Sequence, residues 1–378
     1  MNRASRFRII FAAAALLVAA LIVLAREHRP SFLRPGLRLY AYVSTGDNAV
    51  SVVDLVKLAT VARIPIGGNV SAMLEHPTRA EIWGVSSSGG FAWVVDSRTS
   101  QLVARIPVGA LPYSLDFSPD GTRLYVPAAG SNVLSLIDCA SRQVVARTPT
   151  GSEPVAARVS FDGKLVLVTN KKEATVGVYD AGTLELRATI PVVSDPEDAS
   201  ILPDHSVAFI LSRTQKRLSV VDLRKGQLLT NLDLAGIPSE MILKPDGGEL
   251  YVLSPAAHGL QAINTSTHEV GDYMELGSAP TRGALLPDTG QLYVSDAAAG
   301  SVTAVDINNR RLIRPTIPAG QQPGALRFDP GDKARLLLVV SQASGDLSVI
   351  RIASDRPSGL LTMIPVGDQP REIAVKLF

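Results

Sequence analysis

Short stretches of alternating apolar and polar residues recur along this chain with a beat of 42 residues. Four strand-like patterns fill each period. The first follows a proline, as in PYSLDFSPDG (112–121), PVAARVSFDG (154–163) and PSEMILKPDG (238–247). The second resembles RLYVPA (123–128), ELYVLS (249–254) and QLYVSD (291–296). The third closes on an acidic or amide residue: Asp54, Asp96, Asp138, Asp180, Asp222, Asn264 and Asp306. The fourth reads VARIPVG (103–109), RATIPVV (187–193) or TMIPVG (362–367). Period-two alternation over such short runs predicts half-buried strands, and Asp-Gly between the first two predicts a tight hairpin.

Several short strands in a repeat of 40-odd residues are the mark of a β-propeller, because one unit cannot bury both its faces alone. The second, third and fourth strand types each occur eight times between Leu39 and Gly367. The first type also occurs eight times, counting PREIAVKLF (370–378) and a degenerate copy at VSAMLEHPT (70–78). The chain therefore enters within a blade and ends with the strand that blade lacks. Pairing 370–378 with 39–44 closes the ring and removes its exposed edges. The expected fold is an all-β propeller of eight four-stranded blades over 39–378, with seven blades as the alternative. The recurring aspartates are expected to cap the turn after the third strand through their own backbone. A metal role does not suit them, since equivalent positions lie far apart around a ring. The beat slips late, by one residue near Arg314 and by more at Pro330–Leu336.

Residues 1–25 belong to another class. Arg3, Arg6 and Arg8 precede an unbroken apolar run from Ile9 to Ala25. A basic start followed by such a run predicts an export signal or, at the lower length limit, a membrane anchor. Val23 and Ala25 offer a small-x-small cleavage pattern, while Arg26, Arg29, Arg34 and Arg38 weaken the charge bias that would orient the segment. The expectation is a periplasmic or otherwise extracytoplasmic domain, anchored to a bacterial inner membrane, with 26–38 as linker. Residues 1–25 hold three of the 37 basic residues and none of the 35 acidic ones, so the remainder carries a net charge of −1. A near-neutral domain has no global field for nucleic acid. The single Cys139 has no disulfide partner and is expected to be a core residue.

The ELYVLS, QLYVSD and RLYVPA units, with SVxxVD-like and ARIPVG-like segments and SPDG turns, resemble the YVTN-type β-propeller repeat family over roughly 39–378. That resemblance implies the propeller fold. For function it implies only a range: surface-layer and periplasmic binding proteins, lactonase-like members and cofactor-bearing relatives. The Trp-rich docking signature of quinoprotein propellers is missing, since only Trp83 and Trp93 occur. There is no CxxCH, and His76, His205, His258 and His268 show no paired spacing of the kind haem-binding propellers need. No lactonase-like set of Glu, His and Arg can be matched, and no cofactor or metal is expected.

Function must then lie where the repeats differ. In the strand after each proline, residues three and five places on are apolar and pack between blades; those two and four places on face the central channel. The first channel tier reads Ala72, Ser114, Ala156, Asp198, Glu240, Arg282, Ala325 and Glu372. The second reads Leu74, Asp116, Arg158, Ser200, Ile242, Ala284, Arg327 and Ala374. Charges of both signs in a funnel suit a small polar ligand such as a zwitterion, a sugar acid or a peptide end. Pairing among themselves is the plainer account of these charges. Loops between the second and third strands should share that face. SSSGG (86–90) and DAAAG (296–300) are bare, whereas Lys171, Lys172, Arg213, Lys216 and Arg217 form a basic rim suited to an anionic partner. A solvated hairpin tip is again the plainer account. The balance favours a monomeric binding or scaffold module, whose partner is a protein or a small polar or anionic ligand. The competing class is a channel enzyme or a haem- or quinone-associated redox protein.

Overall fold

The computed structural model describes residues 37–286, 289–331, 335–353 and 357–378. The export or anchor segment expected at 1–25, most of the expected linker and part of the 330–336 excursion lie outside them. No helix of the described residues is long and apolar enough to cross a membrane.

Among the described residues, thirty-two strands form eight antiparallel sheets of four. We number the blades in chain order from the one containing Leu39. The inner strands are Ile373–Leu377 in blade 1, Ala72–Glu75 in blade 2, Asp116–Phe117 in blade 3 and Pro154–Val159 in blade 4. Blades 5 to 8 use Pro196–Ile201, Glu240–Leu243, Pro280–Leu286 and Pro323–Phe328. Each inner strand pairs outward with its second, third and fourth strands in order. Blade 1 is completed by the C-terminal strand: Leu39 pairs with Leu377 and Val43 with Ile373. Closure removes the two open sheet faces that a broken ring would expose.

The core is a circle of apolar clusters between neighbouring blades. One joins Trp83, Val85 and Val94 of blade 2 to Leu115, Phe117 and Leu124 of blade 3. Another joins Tyr42 and Val52 of blade 1 to Met73, Ile82 and Trp93 of blade 2. Both tryptophans are fully buried structural residues. Trp93 lies so close to Gly84 that a Cβ there would meet its ring at 2.2 Å, so only glycine fits.

Asp54 Oδ1 accepts the N–H groups of Val56 and Lys57 at 2.9 and 3.0 Å, and Asp96, Asp180, Asp222, Asn264 and Asp306 repeat the arrangement. These are the expected turn caps. The Thr183 N–H, then the Arg187 guanidinium, hold Asp180 down to about 2. Clasps also cross between blades. Arg142 pairs with Glu81 at 2.7 Å, Arg310 pairs with Glu249, and Ser51 Oγ donates to Val366 O at 2.6 Å.

Every outer strand carries a bulge, with Val61, Val103, Val145, Arg187 and Leu229 as the extra residue in blades 1 to 5. A bulge twists an edge away from pairing with another chain. In blade 7 the bulge is one residue longer, Arg314 to Thr316 facing Thr303 alone, which is where the sequence beat slips.

Candidate functional site: the channel mouth

Antiparallel pairing defines two faces. Pro196 lies opposite Ser212, so the start of an inner strand shares a face with the loop between second and third strands. We call this the upper face. The Asp-Gly hairpins and the aspartate-capped turns occupy the lower one. The basic loops and the first channel tier therefore share the upper face, as expected.

The charged channel residues form a nearly continuous belt through blades 3 to 8 and blade 1. Arg158 donates to Asp198 Oδ1 at 2.6 Å, across from blade 4 to blade 5. Asp116 Oδ2 accepts the Val159 N–H of the next blade at 2.8 Å, and its Oδ1 accepts the Phe117 N–H at 3.0 Å. Glu240 accepts the Gly283 N–H of blade 7, and Arg282 Nη1 lies 3.5 Å from its other oxygen. Arg327 donates to its own blade at Leu326 O, 3.0 Å, and forms no ion pair among the described residues. Glu372 likewise has no ion-pair partner among the described residues; its backbone is tied to Ser44, whose Oγ accepts the Glu372 N–H at 2.9 Å and whose N–H donates to Glu372 O at 3.0 Å.

The electrostatics follow the packing. Burial pushes Asp116 upward, against Arg158 and the Val159 N–H. Burial raises Glu240 too, against Arg282 and the Gly283 N–H. Glu372 is raised by burial despite the fields of Arg282, Arg327 and Arg213. Burial alone would lower the Arg158 guanidinium, but Asp198 and Asp116 outweigh it and leave it raised.

The belt sorts into two kinds. Asp116, Arg158, Asp198 and Glu240 are occupied in joining blades. Arg282 meets Glu240 only at 3.5 Å, and Arg327 and Glu372 form no ion pair among the described residues, so these three, on blades 7, 8 and 1, keep spare hydrogen-bonding capacity. The neutral part of the expected lining holds less well. Ala374 is 0 % exposed and lies in the core beside Tyr42 and Met73, while Ala72 and Leu74 pack against the cluster of blades 2 and 3. Their short or apolar side chains are covered by neighbouring blades, so the alternation rule does not place them on an open wall.

The basic rim is divided. Glu197, absent from the expected set, is shared by Lys171 at 2.6 Å and Arg213 at 2.9 Å. It lies one place after its proline, where the inner strand bulges between Pro196 and Asp198, and this turns it onto the rim. Arg217 pairs with Asp233 of the outer strand at 2.6 Å. Lys172 and Lys216 are exposed.

An eight-bladed propeller with a charged channel mouth is thus the class that fold and site define. A family model described as Cytochrome D1 heme domain matches residues 84–248, from blade 2 into blade 6. Among solved structures, the chain is similar to "Dihydro-heme d1 dehydrogenase NirN in complex with DHE", with TM-score 0.70 and 17 % identity, covering 92 % of this chain and 77 % of that one. It is also similar to Kuenenia stuttgartiensis hydrazine synthase, with TM-score 0.60 and 21 % identity over 75 % of this chain and 96 % of that one. A functionally unknown protein from Desulfotomaculum acetoxidans DSM 771 gives TM-score 0.58 and 13 % identity over 73 % and 94 %. No curated protein matches. At these identities the structures carry the fold. The propeller implied by the YVTN-type resemblance stands, but the family that matches is the haem domain rather than the YVTN repeat. The missing CxxCH does not conflict with that match, because that motif marks covalent haem attachment.

Proposed function

We propose that this chain is an extracytoplasmic propeller, tethered through its N-terminal segment, that binds a small carboxylate-bearing ligand at the upper mouth of its channel. The observation that carries this reading is the sector formed by Arg282, Arg327 and Glu372. Arg282 is 41 % exposed beside Glu240, Arg327 has no ion-pair partner among the described residues, and Glu372 contributes a carboxyl raised by burial. Two guanidiniums on adjacent inner strands suit a carboxylate by paired N–H donation. Glu372 beside them favours a ligand that also offers a donor. Export is supported by the N-terminal basic-apolar pattern.

The match to a haem domain favours a second reading, in which the ligand is a tetrapyrrole. Its carboxylates fit Arg282 and Arg327. Its iron does not fit the wall, since the described channel residues include no His, Cys or Met side chain able to ligate it. Among the described residues of the upper face, only His258, whose Nδ1 lies 2.6 Å from Ser278 O, offers an imidazole. No redox step is derived from this site.

Calorimetric titration with citrate, as a small carboxylate probe, tests the first reading. The R282A/R327A variant should bind at least tenfold more weakly, the loss of one charge-assisted contact or more. Unchanged binding by that variant sinks the proposal. A visible spectrum of protein from its native host tests the second, and a bound chromophore with histidine-ligated iron would displace the first.

A further inference from the structure

The lower face carries its charge in two layers. Asp54, Asp222 and Asp306 each turn one oxygen onto the backbone of their own turn. Asp162 accepts the Ser160 hydroxyl at 2.6 Å and the Lys164 N–H at 3.1 Å. The cations beside them reach past: Lys57, Lys225, Arg311 and Lys164 lie 3.4 to 3.9 Å from these four carboxylates. Their side chains are 68–77 % exposed, against 7–28 % for the carboxylates. Pairs this loose hold little. Arg224, beside Asp204 at 3.9 Å, extends the set, and blade 6 is the exception, with Asp246 and Asp272 exposed. Although the chain beyond residue 25 is nearly neutral, blades 1, 4, 5 and 7 therefore present cations as the outermost layer of this face.

One apolar ring breaks into the same layer. The residue that opens the hairpin after the inner strand is proline in blades 2, 3 and 5 to 8. Pro77, Pro119 and Pro203 each lie against the glycine of the following hairpin, where a Cβ would meet them at 3.4, 3.2 and 2.7 Å. Blade 4 has Phe161 instead, and the hairpin that follows puts His205, at φ 58°, where its neighbours have Gly163 and Gly247. The usual seat is thus filled by an imidazole, and Phe161 is 60 % exposed three residues before Lys164. An aromatic ring flanked by cations suits the boundary between lipid headgroups and acyl chains.

The chain also enters the propeller on this face. The Leu55 N–H, in the turn after Asp54, donates to Leu39 O at 3.0 Å. Residues 26–38 alone separate Leu39 from the apolar run that ends at Ala25, a reach of about 45 Å at full extension. Arg26, Arg29, Arg34 and Arg38 lie within that stretch. Cations held within a Debye length of an anionic leaflet are drawn to it, and salt weakens the attraction. We propose that the lower face docks on an anionic lipid surface, with Phe161 inserted among the headgroups and Lys57, Lys164, Arg224, Lys225 and Arg311 against the lipid phosphates. This rests on the tether proposed above and adds which face meets the bilayer. The upper mouth of the channel then opens away from the membrane.

The test uses the full chain reconstituted in vesicles. F161W places a fluorophore on the lower face and Y113W one on the upper, and wild type supplies the signal of buried Trp83 and Trp93. In phosphatidylglycerol vesicles with brominated acyl chains, F161W should shift to shorter wavelength and lose most of the emission it adds over wild type. Y113W should lose none. High salt, or K164E/K225E in the F161W background, should restore the lost emission. Flotation of wild type with the vesicles but no quenching of F161W overturns the lower-face assignment and leaves the tether standing. Equal quenching of Y113W overturns it too. Quenching just as strong in brominated phosphatidylcholine overturns the role given to the cations. A blue shift of F161W with soluble polyglutamate, and none with vesicles, assigns the face to an acidic protein and overturns the lipid surface. Wild type that does not float removes tether and face together.

Discussion

His76 should make this propeller lose stability in mild acid. It ends the inner strand of blade 2 on the lower face and is 0 % exposed. Its Nδ1 accepts the N–H groups of Thr78 and Arg79 at 3.1 and 3.0 Å, so the ring's single proton belongs on Nε2. Nε2 is buried without a hydrogen-bond partner, against Phe117 at 5.0 Å and Trp83 at 6.4 Å between centroids. A second proton would have to enter at Nδ1, in the face of two N–H donors. Burial accordingly lowers this imidazole below its ordinary 6.5, with Glu81 opposing and Arg79 assisting. Above 6.5 both folded and unfolded chains are neutral at this site and nothing is at stake. Below it the unfolded chain takes up a proton that the folded one refuses. Stability then falls by about 1.4 kcal/mol per pH unit until the lowered folded value is reached.

His76→Asn isolates the effect, because Asn Oδ1 can accept the same two N–H groups without titrating. Near pH 8 the variant should be less stable by about 2–3 kcal/mol, the cost of deleting most of a buried ring. Urea unfolding, followed by the fluorescence of buried Trp83 and Trp93, gives the gap between the two proteins. That gap should narrow steadily from about pH 6.5 downward, by about 1.4 kcal/mol per unit. Asp116, Glu240 and Glu372 have raised values and act in the opposite sense, but they are common to both proteins and cancel in the difference. A gap that stays constant across the range would refute the reasoning.

Glu372 carries a folded value raised above 4.5, so its carboxyl costs stability as pH rises through that window and the full cost persists at neutral pH. E372Q should therefore raise the urea midpoint at neutral pH and leave it unchanged near the acid end; a lowered neutral midpoint would count against the burial argument. Cys139 is fully buried and its thiol is pushed up to about 12, so a thiol reagent should label it only as fast as the protein unfolds. Rapid labelling of native protein would contradict its placement. Truncation after residue 369 removes the inner strand of blade 1, leaving Leu39–Val43 unpaired on one side. The truncated chain should aggregate or unfold, and a monodisperse, fully folded product would show that closure is dispensable.

The ring was legible because its determinants are local. Turn caps such as Asp54 and Asp306 act on residues two and three places on, so a single repeat displays them in full. The alternation rule also singled out charged residues that the structure brings together across inner strands, Arg158 with Asp198 and Glu240 with Arg282, since pleat direction follows from counting. Counting fails at a bulge. Glu197 lies one place after the proline, where an extra residue breaks the pleat, and the count passed over it. Partner choice was not legible either. Arg158 and Arg282 occupy comparable stations, yet one is drawn to Asp198 and the other to Glu240, and this depends on side-chain reach between blades. His76 was hidden for a different reason. It stands where Ser118 and Ser160 begin the corresponding turns, and only its enclosure by Trp83 and Phe117 makes the substitution consequential.

The division of the belt bears on where a ligand would act. Charges on blades 3 to 6 are largely consumed in holding neighbouring inner strands together, Asp116 to Val159, Arg158 to Asp198 and Glu240 to Gly283. Those left over, Arg282, Arg327 and Glu372, stand on blades 7, 8 and 1, around the seam where the two ends of the propeller meet. The inner strand of blade 1 has one hydrogen-bonded neighbour within its sheet, Leu39–Thr45, and no chain connection to the blade it completes except the long way round the ring. A ligand whose carboxylate is held by Arg327 on one side of the seam and whose hydrogen-bond donor meets Glu372 on the other would couple occupancy to closure. Ligands that bind only the closed ring stabilise it by mass action. The sector that departs most from the repeat is therefore also the sector where binding has the most structural leverage, which a ring built from identical blades would not provide.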